Sequence, residues 1–189
     1  MSDARWHSEP PQWGWSDDTL TVVTAEKTDF WQGTYYGFHR DDGHFLGLSQ
    51  SGDFTAVLTF DADYETLYDQ AGLMLRSDAN NWVKAGIEYS DGVKNFSVVI
   101  TRAGRSDWSV IAAPDVSGPQ SIRLMRIGQA IIVHYLTATG WHLMRLGETV
   151  MKDGVMVGPM TCSPERAGLK ARFLNLRMEP PATDPLHAG

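Results

Sequence analysis

Apolar and polar residues alternate with a period of two along most of this chain, in short runs bounded by Gly, Asp, Asn or Pro. No window sustains the three-and-four spacing of an amphipathic helix. The pattern predicts an all-β chain with strands over residues 20–24, 30–31, 33–36, 44–48, 53–60, 71–77, 82–90, 95–101, 108–112, 121–127, 130–137, 141–146, 155–160 and 168–178. Turn chemistry separates them. Asp91-Gly92 supplies the positive φ angles that a two-residue hairpin needs, and Gly128-Gln129 and Thr139-Gly140 close two more hairpins.

Residues 68–76 and 82–89 carry the sharpest pattern. With 77–81 as the connection and Arg76 opposite Trp82, Met74 faces Lys84, Gly72 faces Gly86 and Gln70 faces Glu88. Ala71, Leu73, Leu75, Val83, Ala85 and Ile87 then point together into a core. The opposite face carries an amide, a cation, a carboxylate and two facing glycines, the expected base of a groove where something approaches the backbone closely. Pairing across the Asp91-Gly92 turn adds Asn95 beside Glu88, Ser97 beside Gly86 and Val99 beside Lys84, and the short connection 102–107 delivers Trp108 to the side of Thr101.

Gln70, Lys84, Glu88 and Asn95 are therefore the expected ligand-binding groups on that face, with Trp31, Tyr36 and Trp108, joined by Phe38 and Trp82, as its walls. Glu88 is the candidate acid or base. Four residues apart on a strand, Lys84 and Glu88 stand about 13 Å from one another, so each needs another partner. Two readings stay open. In one, these groups hydrogen-bond a polyhydroxylated ligand; in the other they form a buried network, with Gln70 on Glu88 and Lys84 on a loop carboxylate such as Asp69. For the aromatics, stacking on a ligand and filling the core are likewise both open. In an extended segment Phe30 and Trp31 point to opposite sides, and Trp31 is the one expected in the groove.

Composition narrows the classes. A length of 189 residues suits one domain, expected over 1–179, followed by a proline-rich flexible tail over 180–189. A net charge of −7, with the 16 Lys and Arg residues scattered, argues against a phosphate-neutralising surface and hence against nucleic acid. No apolar run is long enough to cross a bilayer and no basic-then-apolar start marks export, so no membrane association and a cytoplasmic location are expected. The lone Cys162 has no disulfide partner, and the six histidines show no ligand spacing, so neither metal nor cofactor is expected. Asp41-Asp42-Gly43-His44 reads as a plain turn rather than a calcium loop. The sequence leaves the oligomeric state open.

The strings Thr28-Asp29-Phe30-Trp31, Tyr35-Tyr36-Gly37-Phe38, Tyr68-Asp69-Gln70-Ala71-Gly72-Leu73-Met74, Trp82-Val83-Lys84-Ala85-Gly86-Ile87-Glu88-Tyr89 and Ser106-Asp107-Trp108-Ser109 occur in this order. With Trp13 and Ser163-Pro164, they make the chain from about Trp6 to Met178 resemble the regulation-of-enolase-like family, a domain of unknown function. The resemblance implies a concanavalin A-like jelly roll of two stacked antiparallel sheets, an architecture shared by lectins and glucanases. It also implies carbohydrate as ligand, with an enzyme acting on a small sugar or sugar acid through Glu88, or a protein-interaction regulator of carbohydrate metabolism, as alternatives. The alternating Glu-x-Asp-x-Glu of the jelly-roll glucanases is absent around Glu88, whose same-face neighbours are Gly86 and Ser90. A second acid would have to come from Glu65, Asp69 or Asp107.

Overall fold

The computed structural model describes residues 3–187, and among them every regular element is a strand. In chain order the first eight are β1 (Arg5–His7), β2 (Gln12–Ser16), β3 (Thr19–Val23), β4 (Phe30–Gln32), β5 (His39–Asp41), β6 (His44–Gln50), β7 (Phe54–Ala62) and β8 (Gln70–Asp78). The rest are β9 (Asn81–Ser90), β10 (Val93–Arg102), β11 (Arg105–Ala112), β12 (Gln120–Ile127), β13 (Ala130–Thr137), β14 (Gly140–Glu148), β15 (Val155–Cys162) and β16 (Lys170–Glu179). Two seven-stranded antiparallel sheets form, in the orders β1-β6-β15-β8-β9-β10-β11 and β14-β13-β12-β7-β16-β3-β2, and β4 and β5 make a separate two-stranded ribbon. This is the jelly-roll sandwich that the resemblance implies.

Alternation decides what lies between the sheets. Leu73, Leu75, Val83, Ala85, Phe96 and Val98 from the first sheet meet Leu20, Val22, Leu58, Phe60, Leu124 and Phe173 from the second in one continuous core. Each of these side chains larger than alanine, fully removed from water, contributes roughly 1.5–3 kcal/mol before entropy is charged against it. A one-residue slip of β8 or β9 would turn this set outward and bury Lys84 and Glu88 in its place, and that asymmetry pins the register.

The central register is the expected one: Gln70 pairs with Glu88, Gly72 with Gly86, Met74 with Lys84 and Arg76 with Trp82. Glu88 pairs with Asn95, Gly86 with Ser97 and Lys84 with Val99. Several expectations differ. The β8–β9 connection is tighter than 77–81, because Asp78 pairs with Asn81 and a bulge absorbs the extra residue. Trp108 lies across from Val99, not Thr101, because Ala103 and Gly104, at φ 47° and 73°, form a two-residue turn that sets Arg102 against Arg105. That shift brings Trp108 into the row of Lys84 and Met74. Residues 33–36 are not a strand, since Gly33, Tyr35 and Gly37 all take positive φ. Strands β1, β2 and β5 escaped the alternation pattern: β1 and β5 are three residues long, and β2 is an edge strand exposed throughout.

The facing glycines also have a reason other than the expected one. A Cβ on Gly86 would run into the carbonyl oxygen of Ala71, and one on Gly72 into that of Ala85, so close approach of the paired strand by itself requires glycine at both positions. Gly86→Ala is expected to destabilise the fold by about 3 kcal/mol, at the upper end for an inserted methyl because backbone blocks it. Urea denaturation would check this; a loss below about 1 kcal/mol would mean that β8 and β9 separate easily here.

Candidate functional site

The outer face of the first sheet carries the polar row, and the β4–β5 ribbon covers one half of it. Phe30 is fully buried over Trp82, ring centroids 6.0 Å apart, in a second apolar cluster with Trp31, Phe45, Met74, Val99, Met160 and Cys162. Polar clamps hold the ribbon down. Arg76 donates twice to Asp41 at 2.7 and 2.8 Å, and Gln32 N donates to Ser106 Oγ at 2.9 Å. Lys84 Nζ donates to Phe30 O at 2.8 Å, Gln70 Oε1 at 2.8 Å and Asp29 Oδ1 at 3.2 Å. An ammonium has three protons, so Lys84 is saturated. Burial pulls its pKa down, but Asp29 foremost outweighs this and holds it above the ordinary lysine value.

The uncovered half is a pocket of about 290 Å³. Trp31, Tyr36, Phe38, Tyr68 and Trp108 give it aromatic walls; Asp29, Arg40, Gln70, Lys84, Glu88 and Glu165 give it polar groups. Phe38 stacks on Tyr36 at 5.4 Å, and Trp31 meets Tyr36 edge-on at 5.7 Å. Tyr68 Oη lies 3.5 Å from Tyr36 Oη, and this hydrogen bond, with burial, pushes the Tyr68 pKa up to about 12, so the phenol is neutral at physiological pH.

Two loops meet at the rim through a buried carboxylate. Asp69, wholly buried, accepts from Arg166 Nη2 at 2.7 Å, Ser163 Oγ at 2.6 Å and the backbone N–H groups of Glu65 and Thr66. Burial works to raise its pKa, yet Arg166, Ser163 and those amides outweigh it and hold the carboxyl below its usual range. The clamp fixes Tyr68, at φ 65°, on one side and Pro164 and Glu165 on the other.

The deepest chemistry lies between Gln70 and Glu88. Lys84 has only protons to offer, so the Gln70 oxygen faces it and the amide Nε2 is left toward the pocket with no hydrogen-bond partner among the described residues. A relay orients Glu88: Trp108 Nε1 donates to Ser97 Oγ at 3.0 Å, and Ser97 Oγ donates its one proton to Glu88 Oε2 at 3.1 Å. Glu88 Oε1 has no such partner among the described residues, so a proton on this carboxyl resides at Oε1. Burial pushes its pKa up to about 7, against the downward pull of Lys84 and Ser97.

Of the sequence-predicted residues, Trp31, Tyr36, Gln70, Lys84, Glu88 and Trp108 line the pocket. Asn95 lies in the same cross-strand row but does not; its Nδ2 is turned to Ser90 Oγ at 3.1 Å and Val93 O at 3.2 Å, closing the Asp91-Gly92 hairpin. Trp82 is no wall either, being fully buried under Phe30. The network partners differ from those expected: Gln70 bonds Lys84 rather than Glu88, and the loop carboxylate on Lys84 is Asp29, not Asp69. Glu65 and Asp69 are held by Arg166 and Asp107 by Arg145, so the carboxylates that join Glu88 in the pocket wall are Asp29 and Glu165. Asp41 and Asp42 are engaged by Arg76 and Arg40. No cluster of three or more His, Cys, Asp or Glu is placed to hold a metal ion among the described residues, and none of these residues forms a helix long and apolar enough to cross a membrane. Asp29, Arg40, Tyr68 and Glu165 were missed, although Asp29 and Tyr68 both stand inside the strings that carry the family resemblance.

Residues 6–181 match the family described as proteins of unknown function, DUF1349. Over 188 residues, 99% of this chain and 94% of the other, the sequence is 40% identical to Regulation of enolase protein 1 of Saccharomyces cerevisiae. The crystal structure of a functionally unknown protein from Saccharomyces cerevisiae superposes with a TM-score of 0.90 at 40% identity, covering 96% of this chain and 98% of that one. The carbohydrate-binding module CBM66 from Bacillus subtilis shares the fold, with a TM-score of 0.62 at 14% identity over 92% of this chain and 94% of that one.

Proposed function

The chain belongs to the DUF1349 family of proteins of unknown function, and from that starting point we propose that its pocket binds a neutral saccharide. One observation carries the reading: the Gln70 amide donors and the Glu88 Oε1 acceptor stand side by side on paired strand positions, without hydrogen-bond partners among the described residues, between aromatic faces. Adjacent sugar hydroxyls each donate and accept, and a sugar ring offers C–H faces to Trp31, Tyr36 and Trp108. The volume of about 290 Å³ suits one sugar ring. The carbohydrate-binding module of the same fold supports the ligand class by analogy of architecture only.

A glycan array followed by calorimetric titration tests the proposal. Binding of a neutral mono- or oligosaccharide is expected, with Gln70→Met about tenfold weaker, the loss of one buried hydrogen-bonding group. Absence of binding by any saccharide, or a Gln70→Met variant that folds and binds undiminished, would reject it.

A second reading, an enzyme acting on a small sugar, is favoured by Glu88 itself: a carboxyl with a pKa of about 7 and its proton directed to the free Oε1 is suited to general acid–base work, with Asp29 in the same wall. Turnover abolished by Glu88→Gln with binding retained distinguishes it from a binding module.

A further inference from the structure

Beyond Tyr36 and Trp108 the pocket does not end. A second, more open cavity of about 490 Å³ is lined by Thr34, Tyr35, Ser106 and Asp107 together with Trp31, Tyr36 and Trp108, three of the five aromatics that wall the inner pocket. The two cavities are therefore neighbours across one aromatic partition. At the outer end Tyr35 is 93% exposed, so it fills no core.

Its backbone is built to keep it there. Tyr35 sits at φ 60°, a conformation costly for a bulky side chain. The loop is locked by Gly33 N on Phe38 O at 3.0 Å, Gly37 N on Gly33 O at 3.1 Å, Tyr36 N on Thr34 O at 2.7 Å and the Trp31 indole on Thr34 O at 3.0 Å. Tyr35 also meets Tyr36 edge-on at 5.0 Å. A strained backbone that holds a large aromatic ring in water, beside a cavity, is pre-organised for something that stacks. Across the cavity Asp107 is held by Arg145 at 2.8 Å but remains half exposed, leaving acceptor capacity toward hydroxyl groups.

We infer that the outer cavity is a second sugar subsite, so that the ligand is an oligosaccharide of at least two residues, one ring on Gln70 and Glu88 and the next stacked on Tyr35 within reach of Asp107. This rests on the saccharide reading of the inner pocket and extends it to chain length. Linking two rings makes the second contact intramolecular, so affinity rises with length until both subsites are filled.

Calorimetric titration with three length series tests it: xylose, xylobiose and xylotriose; glucose, cellobiose and cellotriose; glucose, maltose and maltotriose. In at least one series the disaccharide is expected to bind tenfold or more tightly than the monosaccharide. Tyr35→Ala should remove most of that gain while leaving the monosaccharide affinity and the melting temperature unchanged. Equal affinity for mono- and disaccharide, or a disaccharide affinity untouched by Tyr35→Ala, overturns the outer subsite while the inner pocket stands. If no member of any series binds, the subsite falls together with the saccharide reading.

Discussion

Lys84→Met is expected to lower folding stability by about 3–5 kcal/mol, the cost of leaving a buried charge without its partner. For a chain of this size that corresponds to a fall in melting temperature of about 10 °C. Lys84 carries three bonds, to Asp29, Gln70 and the Phe30 carbonyl, and its ammonium is nearly inaccessible to solvent. Methionine fills much of the same volume, so packing on Met74 and Val99 survives and the loss reports the polar network. Asp29 would keep a carboxylate in a wall only 14% exposed, and the ribbon would lose one of the ties that hold Phe30 over Trp82. Adding Asp29→Asn should restore about 2 kcal/mol, because the stranded charge is then gone. Urea denaturation of the single and double variants measures both; a single variant within about 1 kcal/mol of wild type would show that the network does not hold the ribbon.

The sequence disclosed the part of this site that period-two alternation governs. Gln70, Lys84 and Glu88 share a face with Gly72 and Gly86 because β8 and β9 bury Ala71, Leu73, Val83 and Ala85 on the other side, and a register that satisfies the core leaves them no alternative. What lay beyond reach were contacts across long sequence separations. Nothing local to Asp29 announces Lys84, 55 positions on, and nothing in Asp69 announces Arg166, 97 positions on. Turn geometry was the other blind spot. The 102–107 connection reads as short, yet a positive-φ pair at Ala103-Gly104 makes it shorter still and moves Trp108 by two places, from the row of Thr101 to that of Lys84. The loop over 33–38 reads as a strand at 33–36 for a related reason: its aromatic and β-branched residues mimic one, whereas Gly33, Tyr35 and Gly37 bend the backbone with positive φ. Its exposed aromatics answer to the pocket rather than to the core, and a rule based on burial cannot see that.

Glu88→Gln is expected to stabilise the protein by about 2–3 kcal/mol at pH 8 and to leave it within about 1 kcal/mol of wild type at pH 4.5. The Glu88 carboxyl has an ordinary pKa of 4.5 and one of about 7 in the fold. Between these values the folded state binds the proton more tightly than the unfolded chain, so this group's contribution is fully present below pH 4.5 and is lost as the pH rises through 7. Above that, the fold carries a desolvated carboxylate at a cost of about 3 kcal/mol, which a neutral glutamine of the same shape does not incur. Asp63, Asp69 and Asp78, whose pKa values are lowered, act in the opposite sense: they stabilise the fold above their ordinary values, and that stability disappears as the pH falls through the lowered ones. They are the same in both proteins, so the difference between wild type and variant isolates Glu88. Chemical denaturation at half-unit pH steps from 4.5 to 8 should give a difference that grows through this window; a flat difference, or a variant less stable than wild type at pH 8, would mean that Glu88 is solvated in the folded protein. A carboxyl that glutamine would replace with a gain in stability has no structural reason to be there. Such a gain would support the proposed role of Glu88 Oε1, as an acceptor for a ligand hydroxyl or as a proton donor to it.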